Sequence, residues 1–98
     1  MNKQTVIKKL QSVKQQLMLH HGVVKLGVFG STVRETAGRN SDVDILVDFE
    51  ADRETYSNFI SVCELLEKLF THRKVDVVTF KGLSPFIGKS ILNEVEYV

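Results

Sequence analysis

Three aspartates stand in stretches that are otherwise apolar and β-branched: Asp42 and Asp44 in SDVDILVDF, and Asp76 in KVDVVTF. Aspartate is a poor strand former, and residues that defy local propensity in this way tend to mark chemistry rather than scaffold. Residues two apart in a strand leave the same face. At a rise of ~3.3 Å per residue, the Asp42 and Asp44 Cα atoms are expected about 6.6 Å apart. Two carboxylates across that gap can lean together and share a cation at Mg–O distances of ~2.1 Å. Asp76 completes a cluster of three if its strand pairs beside theirs. Such carboxylates repel one another and raise their own pKa values unless a cation compensates. A divalent metal carrying the phosphates of a nucleoside triphosphate is a natural compensation. Alone, however, the Asp-x-Asp pattern fits the wet face of an edge strand better. Asp48 shares that face but lies about 13 Å from Asp42 by the same rise, and is left out of the site.

A second signal precedes the first. Gly30-Ser31 falls at a strand-to-helix junction, where glycine lets a phosphate approach the backbone. The Ser31 N–H and hydroxyl can bind a phosphate oxygen at the positive end of a helix. Arg34 lies three residues on, on the same side of that turn, and its guanidinium suits a phosphate fork. Taken alone, these residues read as a glycine turn and a surface arginine. Taken together with the aspartates, they bring phosphate donors and metal ligands from adjacent elements.

The elements that must position these groups follow from periodicity. Val6, Leu10, Val13 and Leu17 predict a helix over 3–20, ended by Gly22. Residues 23–29 read as a strand buried on both faces, 31–35 as a short helix and 37–41 as a turn. Residues 42–49 alternate as a strand with one apolar face. A helix over 54–70 turns Phe59, Val62, Cys63, Leu66, Leu69 and Phe70 inward. A third strand spans 74–80. Ser84 and Pro85 then open a helix to about Asn93, with Ile87, Ile91 and Leu92 inward. The order α-β-α-β-α-β-α implies an α/β (α+β) fold: a small mixed sheet of three or slightly more strands covered by helices.

The 98 residues fit one domain over 1–98, and 43% apolar content excludes disorder. No apolar run approaches the roughly 20 residues of a membrane span, and the N-terminus lacks a signal-like stretch, so the cytoplasm is the expected compartment. The single cysteine, Cys63, makes no internal disulfide and is read as a core residue. A net charge of +1 gives no electrostatic case for nucleic acid. His20 and His21 are adjacent on a helix end and point apart, unlike metal ligands. Arg39, Arg53 and Arg73 read as solvent-facing, and Tyr56 and Tyr97 as packing residues.

GVFGSTVRETAGRNSDVDILV resembles the signature of the polymerase-β-like nucleotidyltransferases: Gly-Ser, about ten residues, then Asp-x-Asp, with the arginine three after the serine. The likeness continues through KVDVV around Asp76 and into SPFIGKSILNEVEYV, covering nearly all of the chain after the first helix. It is strongest toward the minimal nucleotidyltransferases of prokaryotes, which include antitoxins of MNT/HEPN pairs. The resemblance implies that Asp42 and Asp44 hold two Mg²⁺ ions, with Asp76 as a shared ligand or a base. It implies that Gly30, Ser31 and Arg34 hold the β- and γ-phosphates of ATP, which leave as pyrophosphate. About 50 residues follow the second strand, leaving little room for an acceptor domain. The implied activity is therefore AMP transfer to a hydroxyl of a partner protein, a HEPN-type ribonuclease toxin. Two other functions share the sequence: an antitoxin that acts by binding alone, and a nucleotidyltransferase for antibiotics or other small molecules. Base preference and homo- or hetero-oligomeric assembly are left open.

Overall fold

Asn2 opens the first helix. In the computed structural model, which describes residues 2–38 and 40–98, its side chain accepts the Thr5 N–H at 2.9 Å. Helix α1 spans Lys3–His21 and is closed by Gly22, which adopts the left-handed conformation and donates its N–H to the Leu17 carbonyl. The chain continues as β1 (Val23–Phe29), the short α2 (Ser31–Arg34) and β2 (Val43–Phe49). Then come α3 (Tyr56–Leu69), β3 (Val75–Thr79), α4 (Ile87–Glu94) and β4 (Glu96–Tyr97). Single 3-10 turns at Ala51–Arg53 and Phe80–Gly82 link β2 to α3 and β3 to α4. Among the described residues no helix is long and apolar enough to cross a membrane.

The sheet has the order β3-β2-β1-β4. Strand β1 is antiparallel to both β2 and β4, whereas β2 and β3 are parallel, joined by the α3 crossover. The fold is thus the small mixed α/β arrangement expected. Strand β2 is paired on both sides, which removes the edge-strand reading of its acidic face. One face of the sheet supplies Leu26, Val28, Val43, Ile45 and Val47 to the core, packed with Val6, Leu10 and Leu17 of α1 and Val62 and Leu66 of α3. Each such side chain contributes roughly 1.5–3 kcal/mol on burial. That core fixes β2 in register and leaves its opposite face for Asp44, Leu46 and Asp48.

Several expectations need correction. Val24 and Lys25 are exposed at a register irregularity between Val23 and Lys25, so β1 is buried on both faces only from Leu26 on. The last helix starts at Ile87 with Phe86 at its N-cap, so Pro85 lies in the turn before it, although Ser84 Oγ does accept the Ile87 N–H at 3.1 Å. Ile87 and Leu92 are exposed. Gly88 and Ile91, three apart, share the inward side, and a Cβ at Gly88 would press on Leu83. Tyr56 is 81% exposed because it opens α3 on the outer side. Tyr97 lies on the edge strand, half exposed, its ring 5.9 Å from the Lys25 ammonium. Cys63 is half-buried, and burial together with Glu67 and Glu64 pushes its thiol pKa up, away from reactivity.

Arg53 and Arg73 are latches rather than solvated charges. Arg53 packs its side chain against Gly22, where a Cβ would collide with it, and donates to the Leu19 carbonyl at 3.4 Å. Arg73 donates to the carbonyls of Gly38 and Ser41 at 3.0 and 3.1 Å. Arg39, read as solvent-facing, lies outside the described residues.

Candidate active site

Strand register assembles the site. Phe29 at the end of β1 is opposite Asp44 of β2, and Asp44 is opposite Asp76 of β3. Directly paired residues share a face, so Asp44 and Asp76 stand side by side on the face turned away from the helical core. Asp42 precedes β2 by one residue, two before Asp44. Its approach is pinned: the Gly38 N–H donates to Ser41 Oγ at 2.8 Å, and Arg73 holds the carbonyls of both residues. The Val43 N–H donates to the Lys74 carbonyl at 2.9 Å, which ties the start of β2 to the segment leading into β3.

The chain leaves this acidic line at Gly30, with φ 77° and ψ −150°. That region is essentially restricted to glycine. A Cβ there would also collide with the Asp44 carboxylate, so sequence and space make the same demand. The Gly30 carbonyl accepts the Val33 and Arg34 N–H groups, both at 3.1 Å, and so starts α2 with Ser31 as its first residue. Glu35, at φ 59°, ends the turn and donates its N–H to the Ser31 and Thr32 carbonyls. The Gly-Ser corner, the arginine and the aspartates therefore meet at the same end of β1 and β2.

Electrostatics reflect that convergence. The Asp44 carboxyl is raised above its ordinary pKa, first by burial, then by the negative charges of Asp76 and Asp42, and further by Glu94; Arg34 opposes them. Asp48 behaves differently. It pairs with Lys81 at 3.1 Å, and the same ammonium bonds Glu54 at 3.1 Å and the Phe49 carbonyl at 2.9 Å. Asp48 thus belongs to a surface ion network, in keeping with its omission from the site.

Among the described residues, no group of three or more His, Cys, Asp or Glu side chains stands ready-made in metal-holding geometry. The donor set nonetheless fits magnesium. Its oxygens are hard, its charge is in excess, and Mg²⁺ commonly takes one or two carboxylates with the rest of its shell from water and substrate phosphates. A cleft of about 240 Å³ lined by Asn2, Lys3, Thr32, Glu35 and Ala37 contains none of the three aspartates and is a separate feature.

One residue was missed by sequence reasoning. Glu94 Oε1 accepts the Gly30 N–H at 2.6 Å, and both Glu94 oxygens accept from Arg34 Nη1, at 3.0 and 2.9 Å. The only available signal was an acidic residue inside the closing ILNEVEYV segment, with nothing local to reveal its partners.

Residues 6–98 match the nucleotidyltransferase domain family. This chain belongs to that family. It is 46% identical over 89 residues to the protein adenylyltransferase MntA of Thermococcus cleftensis, covering 91% of this chain and 88% of that one. A solved structure described as a candidate minimal nucleotidyltransferase superposes with a TM-score of 0.81 at 34% identity, covering 98% of this chain and 95% of that chain. A toxin–antitoxin crystal structure with AMP-PNP gives a TM-score of 0.68 at 23% identity, covering 99% and 72%, and carries the fold alone. The nucleotidyltransferase class implied by the resemblance and the small mixed sheet expected from the element order both stand.

Proposed function

We propose that this nucleotidyltransferase moves AMP from ATP to a hydroxyl of a partner protein, and that the partner is a HEPN-type ribonuclease toxin neutralised by the transfer. The observation that carries the reading is the register that sets Asp44 beside Asp76 and against the Gly30 corner. The identity to a protein adenylyltransferase supports the choice of acceptor class. The HEPN partner follows from the resemblance to MNT/HEPN pairs, and the need for ATP and Mg²⁺ suits work in the cytoplasm.

Asp42, Asp44 and Asp76 would hold the metal, two Mg²⁺ ions by the same resemblance. Bound there, the ions would neutralise the triphosphate and favour ionisation of the acceptor hydroxyl. Gly30, Ser31 and Arg34 hold the β- and γ-phosphates: Gly30 lets them approach the backbone, Ser31 donates its N–H and hydroxyl, and Arg34 donates from its guanidinium. The acceptor oxygen bonds to the α-phosphorus as the bond to the bridging oxygen of the β-phosphate breaks. Pyrophosphate leaves, held by Ser31 and Arg34. Asp76, the carboxylate on the strand beside Asp44, receives the hydroxyl proton or steadies the group that does. Catalysis of this kind rests on alignment and fixed opposing charge.

Intact mass spectrometry of a candidate toxin incubated with the chain, ATP and Mg²⁺ tests this. A gain of one AMP on the toxin is expected with wild type and none with Asp44→Asn. An unmodified toxin with wild type would overturn the reading, and neutralisation by Asp44→Asn equal to wild type would favour binding alone.

A further inference from the structure

Glu94 lies 64 residues from Gly30 in sequence, yet its carboxylate joins the two ends of α2: the Gly30 N–H at 2.6 Å and Arg34 Nη1 through both oxygens. Strand β4 brings it there. Glu96 is opposite Val28 in an antiparallel pair, so continuing the register by two residues sets Glu94 alongside Gly30. The backbone ladder is replaced at that point by a side chain. We infer that Glu94 is a positioning residue for the triphosphate grip. It locks the Gly30 backbone and turns the Arg34 guanidinium toward the nucleotide, an inference that rests on the phosphate-holding role proposed for Gly30, Ser31 and Arg34.

Three observations require such a support. Helix α2 has only four residues, too few to hold its own shape. Gly30 has a backbone conformation that a flexible chain would abandon readily. Arginine is long and flexible, and a side chain fixed before its ligand arrives loses less freedom on binding. Glu94 engages Arg34 through Nη1, while the arginine side chain stays 56% exposed with Nε and Nη2 outside the pair. A charge-assisted bond from a short carboxylate contact is the strongest single tie available to a lone backbone N–H. Glu94 itself is held from behind, because Val95 donates to the Ile91 carbonyl at 2.9 Å and β4 pairs with β1.

The test measures Mg·ATP affinity by calorimetry, together with amide hydrogen exchange at Gly30 in the nucleotide-free protein. Glu94→Ala is expected to weaken Mg·ATP about 10- to 100-fold, the usual effect of removing a supporting partner, and to lose protection at Gly30. Glu94→Gln keeps an oxygen for the Gly30 N–H and is expected to recover most of that protection and part of the affinity. Glu94→Asp keeps the charge but falls short of both partners, and is expected to resemble the alanine variant. With an active partner, the effect should fall on KM for ATP rather than on kcat. Wild-type or tighter affinity in Glu94→Ala, while Arg34→Ala and Asp44→Asn lose binding, would overturn the positioning role and leave the proposed function standing. Tighter binding would make Glu94 a competitor for the phosphate seat. Failure of the wild type itself to bind Mg·ATP would overturn both. Should Glu94→Ala not fold, wild-type affinity in Glu94→Asp would be equally fatal.

Discussion

Asp44 is held under tension by its surroundings. Burial and the charges of Asp76, Asp42 and Glu94 favour its protonated form in the folded protein, with Arg34 alone opposing them. Between the ordinary carboxyl pKa and the raised one, the folded state binds more protons than the unfolded state. Stability therefore falls as pH rises through that window, and the penalty is fully present above the raised pKa. Asp44→Asn removes it. In chelator at neutral pH the variant should melt above wild type, and the gap should close as pH drops through the window. Melting midpoints of both proteins against pH check this, and parallel curves would contradict it. At this scale the aspartates were legible because they break strand propensity, whereas Glu94 was not. An acid at the end of an amphipathic helix is unremarked locally, and only the β4 register reveals that it reaches Gly30.

The elements act by delivering their ends. Strand β2 is anchored through its core face, β3 aligns to it in parallel, and α2 starts where β1 stops. The loop before β2 needs its own anchor, and Arg73 supplies one by gripping the Gly38 and Ser41 carbonyls from the start of the β3 segment. Arg73→Ala should leave the core intact but loosen the approach to Asp42. Calorimetry is expected to show about 3- to 10-fold weaker Mg·ATP binding, in line with losing two hydrogen bonds of ~0.5–1.5 kcal/mol each that act on the site indirectly, with little change in melting midpoint. Unchanged affinity would show that Asp42 is placed without the latch. The long elements were readable from period alone. Strand β4 was not, because two residues carry no period and its pairing depends on Gly27, which leaves space for Val95 and Tyr97. The inward assignment of Ile87 and Leu92 failed for a related reason: the contact side of α4 is set by Gly88, a residue that hydrophobic patterning does not register.

Across the whole molecule, the two faces of one sheet divide the labour. The face covered by α1 and α3 is apolar and supplies the stability that the other face draws on to hold like charges together. Membership of the nucleotidyltransferase domain family was legible because Gly30-Ser31 and Asp42-x-Asp44 are near each other in sequence as well as in space. The contribution of the C-terminal segment was not, since it closes the sheet against β1 from the far end of the chain. The most direct test of this division is a crystal structure of the protein with Mn²⁺ and a non-hydrolysable ATP analogue, read by anomalous scattering. Manganese peaks are expected at the carboxylates of Asp42, Asp44 and Asp76, with the terminal phosphates against Gly30, Ser31 and Arg34. Manganese at Asp48 and Glu54 instead, or a nucleotide seated away from the Gly30 corner, would contradict the assignment of the site.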